Sequence, residues 1–288
     1  MRAVVKIFFK TIGPMILSAF SIFISFLILQ PIACWLDPSF NLLANKNIGK
    51  IAFTFLVIYQ IILLIYIQPK NFLKNFFETN FLFFKDKNFL KVFFKYFVIF
   101  FLLHSLLLAI FYSAGYLDYN PKWGYFSISL ILKTLFGFIA TFFLAWTEEL
   151  IFRGTIYNFF VQNLKPITSI IFTSFIFMLV HDLHNPINLI TKNWELGLGL
   201  FLLGIILNII FVGTKKLYAN IGAHAGLVFV KVVLRRAPFV LFLPPEILPF
   251  WVNKDLRMSP LTHLLFIITI FVLAYYYRKE IFVKKSNL

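Results

Sequence analysis

The chain alternates long apolar runs with short, basic, polar connections. With a window of about 19 residues, eight runs read as membrane-spanning helices, near 14–33, 51–68, 92–113, 127–150, 166–183, 198–213, 217–233 and 260–277. Each approaches the roughly 20 apolar residues that a helix needs to cross a bilayer. The predicted fold class is therefore all-α, a polytopic membrane bundle of about eight helices. The stretch "TIYNFFVQN" (155–163) either continues the fourth helix or lies along the membrane interface. The connection 234–259 contains "APFVLFLPPEILPFW". Its prolines break helix while its apolar residues hold it at the membrane, so it reads as a re-entrant, interfacial or lid-like segment.

Three regions follow from this pattern. Residues 1–126 form N-terminal spans with a basic loop. Residues 127–233 form a helical core, and 234–288 an interfacial segment and a last span. There is no internal repeat.

Composition agrees with the pattern. Of 288 residues, 61% are hydrophobic and only 13% charged, about half the usual charged share. The 41 Phe read as lipid-facing and packing residues, not as a cofactor box. The net charge of +16 sits mostly in short loops, so it indicates orientation and attraction to anionic lipid rather than nucleic-acid binding. Arg2, Lys6 and Lys10, then Lys70, Lys74, Lys85, Lys87 and Lys91, then Lys215 and Lys216, then Arg278, Lys279, Lys284 and Lys285 all fall on one side if both termini are cytoplasmic. Arg235, Arg236, Lys254 and Arg257 fall on the other side. The single cysteine, Cys34, excludes a disulfide framework and a cysteine zinc site. The apolar run before it reads as an uncleaved first helix rather than a lipoprotein signal, because it is long enough to span and Pro31 fits poorly before the cysteine.

Against this background "FFLAWTEELIFRGTIY" (142–157) is anomalous, since it sets Glu148, Glu149 and Arg153 in an apolar helix. Three central charges cost on the order of 8–10 kcal/mol on an insertion scale, and about ten flanking Leu, Ile and Phe return roughly half of that. The charges must pair or line a wet cavity. Glu149 and Arg153 are four apart and can form an ion pair on one helix face. Glu148 points elsewhere and has no partner on its own helix.

Other spans supply partners. "SFIFMLVHDLHNP" carries His181, and "YANIGAHAGLVF" carries His224. A desolvated carboxylate with two buried imidazoles has the parts needed to activate water against a carbonyl. His184, three residues after His181, is a secondary candidate. His104 and His263 read as packing residues. A simple threading sets Glu148 and His181 at opposite depths, which a continued and tilted fourth helix would reconcile.

These motifs resemble the CPBP family, the intramembrane proteases of the CAAX-protease and bacteriocin-processing type, also called ABI. "EELIFR" matches EExxxR at Glu148, Glu149 and Arg153, and "FMLVH" matches FxxxH at Phe177 and His181. "HAGLV" stands at the third motif, usually HxxxN or HxxxD, at His224. The resemblance covers roughly 127–233. It implies a proteolytic site opening from the membrane, with Glu148 as base, His181 positioning the water or binding a metal, and His224 holding the oxyanion. A metal, if used, would be zinc, with Glu148, His181 and His224 as ligands. The implied substrate is a membrane peptide or membrane protein within the lipid bilayer.

The sequence departs from the third motif at Val228, where an amide is expected. Asn220, one turn before His224, is the expected substitute donor. Two other readings stay open. One is a non-catalytic membrane adaptor on the same scaffold, and the other is a small proton-coupled transporter.

Overall fold

The structure is a computed structural model. It describes Leu27, Gln30, Pro31, Cys34 and Trp35, and then residues 86–282 apart from 125–127, 163 and 183–186. Contacts divide the chain into two units, Met1–Glu78 and Thr79–Leu288. In the first unit the five described residues are helical, and Gln30 Nε2 donates to Cys34 Sγ at 3.0 Å. The first two expected spans otherwise lie outside the described residues.

The second unit is an all-α bundle. Its main helices are α1 (Phe89–Ser113), α2 (Ile128–Val161), α3 (Pro166–Leu179), α4 (Trp194–Thr214), α5 (Leu217–Arg236) and α6 (Pro260–Tyr276). Among the described residues α1, α2, α4 and α5 are long and apolar enough to cross a membrane, and α3 and α6 are shorter apolar helices. The protein is an integral membrane protein with several apolar helices. An apolar helix stands at each of the six positions expected after residue 90, with one revised boundary. The fourth does not stop near 150 but runs on to Val161, so residues 155–161 continue the helix. Between Leu150 and Tyr157 α2 widens into a π-helical stretch. Such a bulge re-aims side chains and is frequent at functional sites.

Close backbone approach sets the packing. A bilayer offers little hydrophobic drive between helices, so small residues at the seams let backbones meet. On α5, a Cβ added at Gly222 would overlap the Phe93 carbonyl oxygen, and one at Gly226 the Phe97 carbonyl oxygen, both on α1. Gly204 of α4 lies in the same way against Ser174 of α3. Gly226→Val is therefore expected to force α1 from α5 and to lower stability by about 1–3 kcal/mol. Thermal unfolding of the detergent-solubilised protein reads this directly. An unchanged melting temperature would mean that the two helices are not held at contact distance.

The core runs through α4, whose buried face includes Leu200, Leu203, Ile206, Leu207 and Ile210. At one end of the bundle Asp86 accepts from Tyr218 Oη and from Lys216 Nζ at 3.3 Å. The other end is closed by the 237–259 connection. Strand β1 (Leu117–Tyr119) pairs antiparallel with β2 (Val240–Phe242). Trp251 packs on Phe111 and Tyr116, and Ser259 Oγ donates to the Trp251 carbonyl at 2.7 Å. Ile247 and Phe250 stay exposed, and Val240, Val252 and Leu256 fill a small core with Leu108 and Phe111. The connection is thus a strap across the bundle end.

Candidate active site

The continuation of α2 changes where its charges lie. Glu148 is mid-helix rather than near an end, and this brings it level with the C-terminal end of α3, where His181 sits in a 3-10 turn (Val180–Asp182). The depth mismatch of the simple threading disappears. Glu148 Oε2 lies 3.9 Å from His181 Nε2 and 3.7 Å from His224 Nε2. The Glu148 and His181 side chains are 23% and 22% exposed, while His224 is 3% exposed. The cluster therefore has an open side and a closed wall. Among the described residues Glu148 Oε2 has no hydrogen-bond partner.

Both rings are fixed from behind. His181 Nδ1 lies 2.6 Å from the Phe177 carbonyl, and a carbonyl only accepts, so Nδ1 carries the proton. His224 Nδ1 lies 2.7 Å from Glu149 Oε1, which also accepts from Arg153 Nη1 at 3.0 Å. In each neutral ring Nε2 then presents a lone pair towards Glu148.

Behind the rings lies a fully buried polar network. Glu149 and Arg153 are 0% exposed. The expected ion pair is present, and it does more than close on itself. Arg153 Nε donates to Asn208 Oδ1 at 3.2 Å and Nη2 to the Gly204 carbonyl at 3.0 Å. Asn208 Nδ2 passes the chain of bonds to Ser174 Oγ at 2.9 Å and the Ile170 carbonyl at 3.2 Å. The guanidinium also lies over the Phe177 ring, 5.0 Å from its centroid. That ring packs against His181 at 4.6 Å and His224 at 6.1 Å. Phe177 thus keeps the two imidazoles and the arginine apart at fixed spacing. Arg153, Asn208 and Ser174 tie α2, α4 and α3 together, and Glu149 adds α5 through His224.

Asn220 Nδ2 donates to Glu149 Oε2 at 3.2 Å and to the Leu207 carbonyl at 2.5 Å. Both amide hydrogens point behind His224, where Asn220 steadies Glu149. Asn208 was not singled out from the sequence, although a lone Asn inside "LLGIILNIIFVG" is the kind of intramembrane polar residue that marks a helix contact. His104 Nδ1 binds the Leu227 carbonyl at 2.9 Å, and His263 Nε2 binds that of Arg257 at 2.8 Å. Both lie apart from the cluster. His184 lies outside the described residues.

The spacing also tests what can sit between the three groups. Tetrahedral zinc with ligands at about 2.0–2.1 Å sets ligand atoms roughly 3.3 Å apart. Groups sharing one water in tetrahedral directions, each at about 2.8 Å, lie roughly 4.6 Å apart. The observed 3.7 and 3.9 Å fall between the two cases. Among the described residues no group of three or more His, Cys, Asp or Glu is placed to hold a metal ion.

The family model of the type II CAAX prenyl endopeptidases, Rce1-like, matches residues 130–230. The match spans α2 to most of α5, includes all three motifs, and bears out the resemblance they carry. No curated protein and no solved structure matches the chain significantly.

Proposed function

We propose that the chain is an intramembrane endopeptidase that hydrolyses a hydrophobic or lipid-modified peptide with water activated by Glu148. The observation that carries this reading is the unpartnered Glu148 Oε2 facing two oriented imidazole nitrogens at 3.9 and 3.7 Å.

In this mechanism a water donates one hydrogen to Glu148 and the other to His181 Nε2. Glu148 takes the proton as the water oxygen adds to the scissile carbonyl. The carbon–oxygen double bond becomes an oxyanion, and His224 donates to it from Nε2. For that role His224 takes up a solvent proton at Nε2 before the water adds, and Glu149 behind Nδ1 stabilises the resulting imidazolium, as a carboxylate does in a catalytic dyad. Glu148 then returns its proton to the leaving amine as the carbon–nitrogen bond breaks. Atoms balance with one water consumed and two peptide fragments released. No step needs a metal. Loop charges support an orientation with both termini cytoplasmic.

A non-catalytic adaptor is the second reading, favoured by Val228 and by the committed amide of Asn220. The test is the purified chain in liposomes with a mixture of apolar peptides, read by mass spectrometry with and without a chelator. New fragments that persist in the chelator are expected. Fragments that vanish on chelation and return with zinc would replace the water mechanism with a metal one, and no fragments under any condition would favour the adaptor.

A further inference from the structure

The outer seam between α2 and α5 carries exposed cations that the candidate site does not use. The two helices run antiparallel, with Glu149 against His224 and Gly137 against Val232. A Cβ added at Gly137 would stand 3.2 Å from Val232 Cγ1, so the backbones are close there. Lys133 lies one turn before Gly137 and Arg236 one turn after Val232, so the two come level on either side of the seam. Arg235 is beside Arg236 in the last turn of α5. The 3-10 turn Pro121–Gly124 brings Lys122 to the same place. That turn is pinned just beyond Arg236, because Asn120 Nδ2 and Trp123 Nε1 both donate to the Pro238 carbonyl, at 2.6 and 2.9 Å. All four cations are exposed. Among the described residues no acid pairs with any of them, whereas Lys231 and Arg257 share Asp255.

The helix dipole accounts for part of this pattern. Cations are favoured in the last turn of a helix, which covers Arg235 and Arg236. The dipole offers nothing to Lys133, which lies in the second turn of α2, towards the end where a cation is disfavoured. Around Lys133 the side chains of Ile128, Ile131, Leu132, Leu135 and Phe136 are 44–66% exposed, an apolar face suited to hydrocarbon. Lys133 is about 7.5 Å from the helix start, a depth from which its amine reaches the headgroup layer. Trp123 marks that layer, as aromatic residues do at membrane interfaces. Cations at the headgroup level above an apolar helix face match the two ends of a phospholipid. Arg235 and Arg236 also fall on the opposite side from most loop cations, and a lipid contact gives that placement a physical reason.

We propose that Lys122, Lys133, Arg235 and Arg236 bind the phosphate of one anionic phospholipid, whose acyl chains lie along the exposed apolar face of α2. Charge-assisted bonds from ammonium and guanidinium groups to phosphate oxygens supply the contact, each cation contributing about fivefold in affinity near a membrane surface. A zwitterionic lipid brings its own cation to the same place and loses that advantage. The lipid clamps α2 to α5, the helices that carry Glu148 and His224, and it does so whether or not the chain hydrolyses peptides.

The experiment titrates the full chain, in a neutral maltoside detergent, with phosphatidylglycerol or phosphatidylcholine of the same acyl chains, and reads bound lipid by native mass spectrometry. Phosphatidylglycerol is expected to bind about tenfold or more tightly. Lys133→Gln and Arg236→Gln should each weaken it about fivefold and leave phosphatidylcholine unchanged, and Lys133→Arg should keep it. Both side chains are exposed, so melting temperatures matched to wild type are expected, and Lys122→Gln supplies the comparison if either variant is unfolded. Lys165→Gln removes the same charge beyond the far end of α2 and should change nothing. Equal affinity for the two lipids would overturn the proposal. So would equal weakening by Lys165→Gln, which would mark net charge alone. Displacement of the lipid by an equimolar amount of inorganic phosphate would also overturn it, by marking a site for a soluble anion.

Discussion

Glu148→Gln is expected to lower peptide hydrolysis by about 10²–10⁴-fold, the usual contribution of a general base, with little change in folding. The amide keeps the size of the side chain but cannot take a proton. Glu148 Oε2 has no hydrogen-bond partner among the described residues, so its replacement breaks no structural bond at that oxygen. Its 23% exposure lets a polar neutral group stay solvated. The combination of lost rate and kept stability distinguishes Glu148 from its neighbour. Initial rates and melting temperature of the purified variant check both halves. A variant that hydrolyses at the wild-type rate would remove Glu148 from the chemistry.

Arg153→Ala is expected to do the opposite and prevent accumulation of folded protein. It leaves Glu149 at 0% exposure without its cation and strips bonds from Asn208 and the Gly204 carbonyl. Removing one partner of a buried ion pair costs about 3–5 kcal/mol, a large part of the 5–15 kcal/mol by which a typical domain is stable. The double variant Glu149→Leu/Arg153→Met separates the two roles of the pair. Replacing both charges by apolar groups should recover most of the stability. Activity should stay roughly 100-fold or more below wild type, because His224 Nδ1 has lost the carboxylate that orients it. Membrane protein levels, melting temperature and hydrolysis rate of the single and double variants give the comparison. A stable Arg153→Ala protein would contradict the network.

The bundle was legible because its signal is long and one-dimensional. Each span after residue 90 announces itself as an apolar run, and Pro166 and Pro260 mark the starts of α3 and α6. The end of α2 was less legible, since Arg153, Gly154 and Thr155 interrupt the apolar run where the helix widens instead of stopping. The ion pair Glu149–Arg153 followed from spacing on a single helix. The bond from Glu149 to His224 did not, because it joins residues 75 apart in sequence. Spacing on α5 set Asn220 one turn from His224 correctly, yet it could not say that the amide turns to Glu149 and Leu207. Asn208 carried a signal, a single amide among aliphatic residues. Its partner, the guanidinium from α2, becomes evident only once α2 and α4 are packed together.

The central claim is that Glu148 and His181 act on one water and His224 on the oxyanion that its attack creates. Single Ala variants of the three, expressed at levels matched to wild type in the native membrane, test it most directly when membrane peptides and small membrane proteins are compared by mass spectrometry. The account predicts that all three variants accumulate the same uncut species, which the wild-type chain converts to a shorter product. Variants that are folded and equally abundant, yet leave the peptide profile identical to wild type, would contradict it.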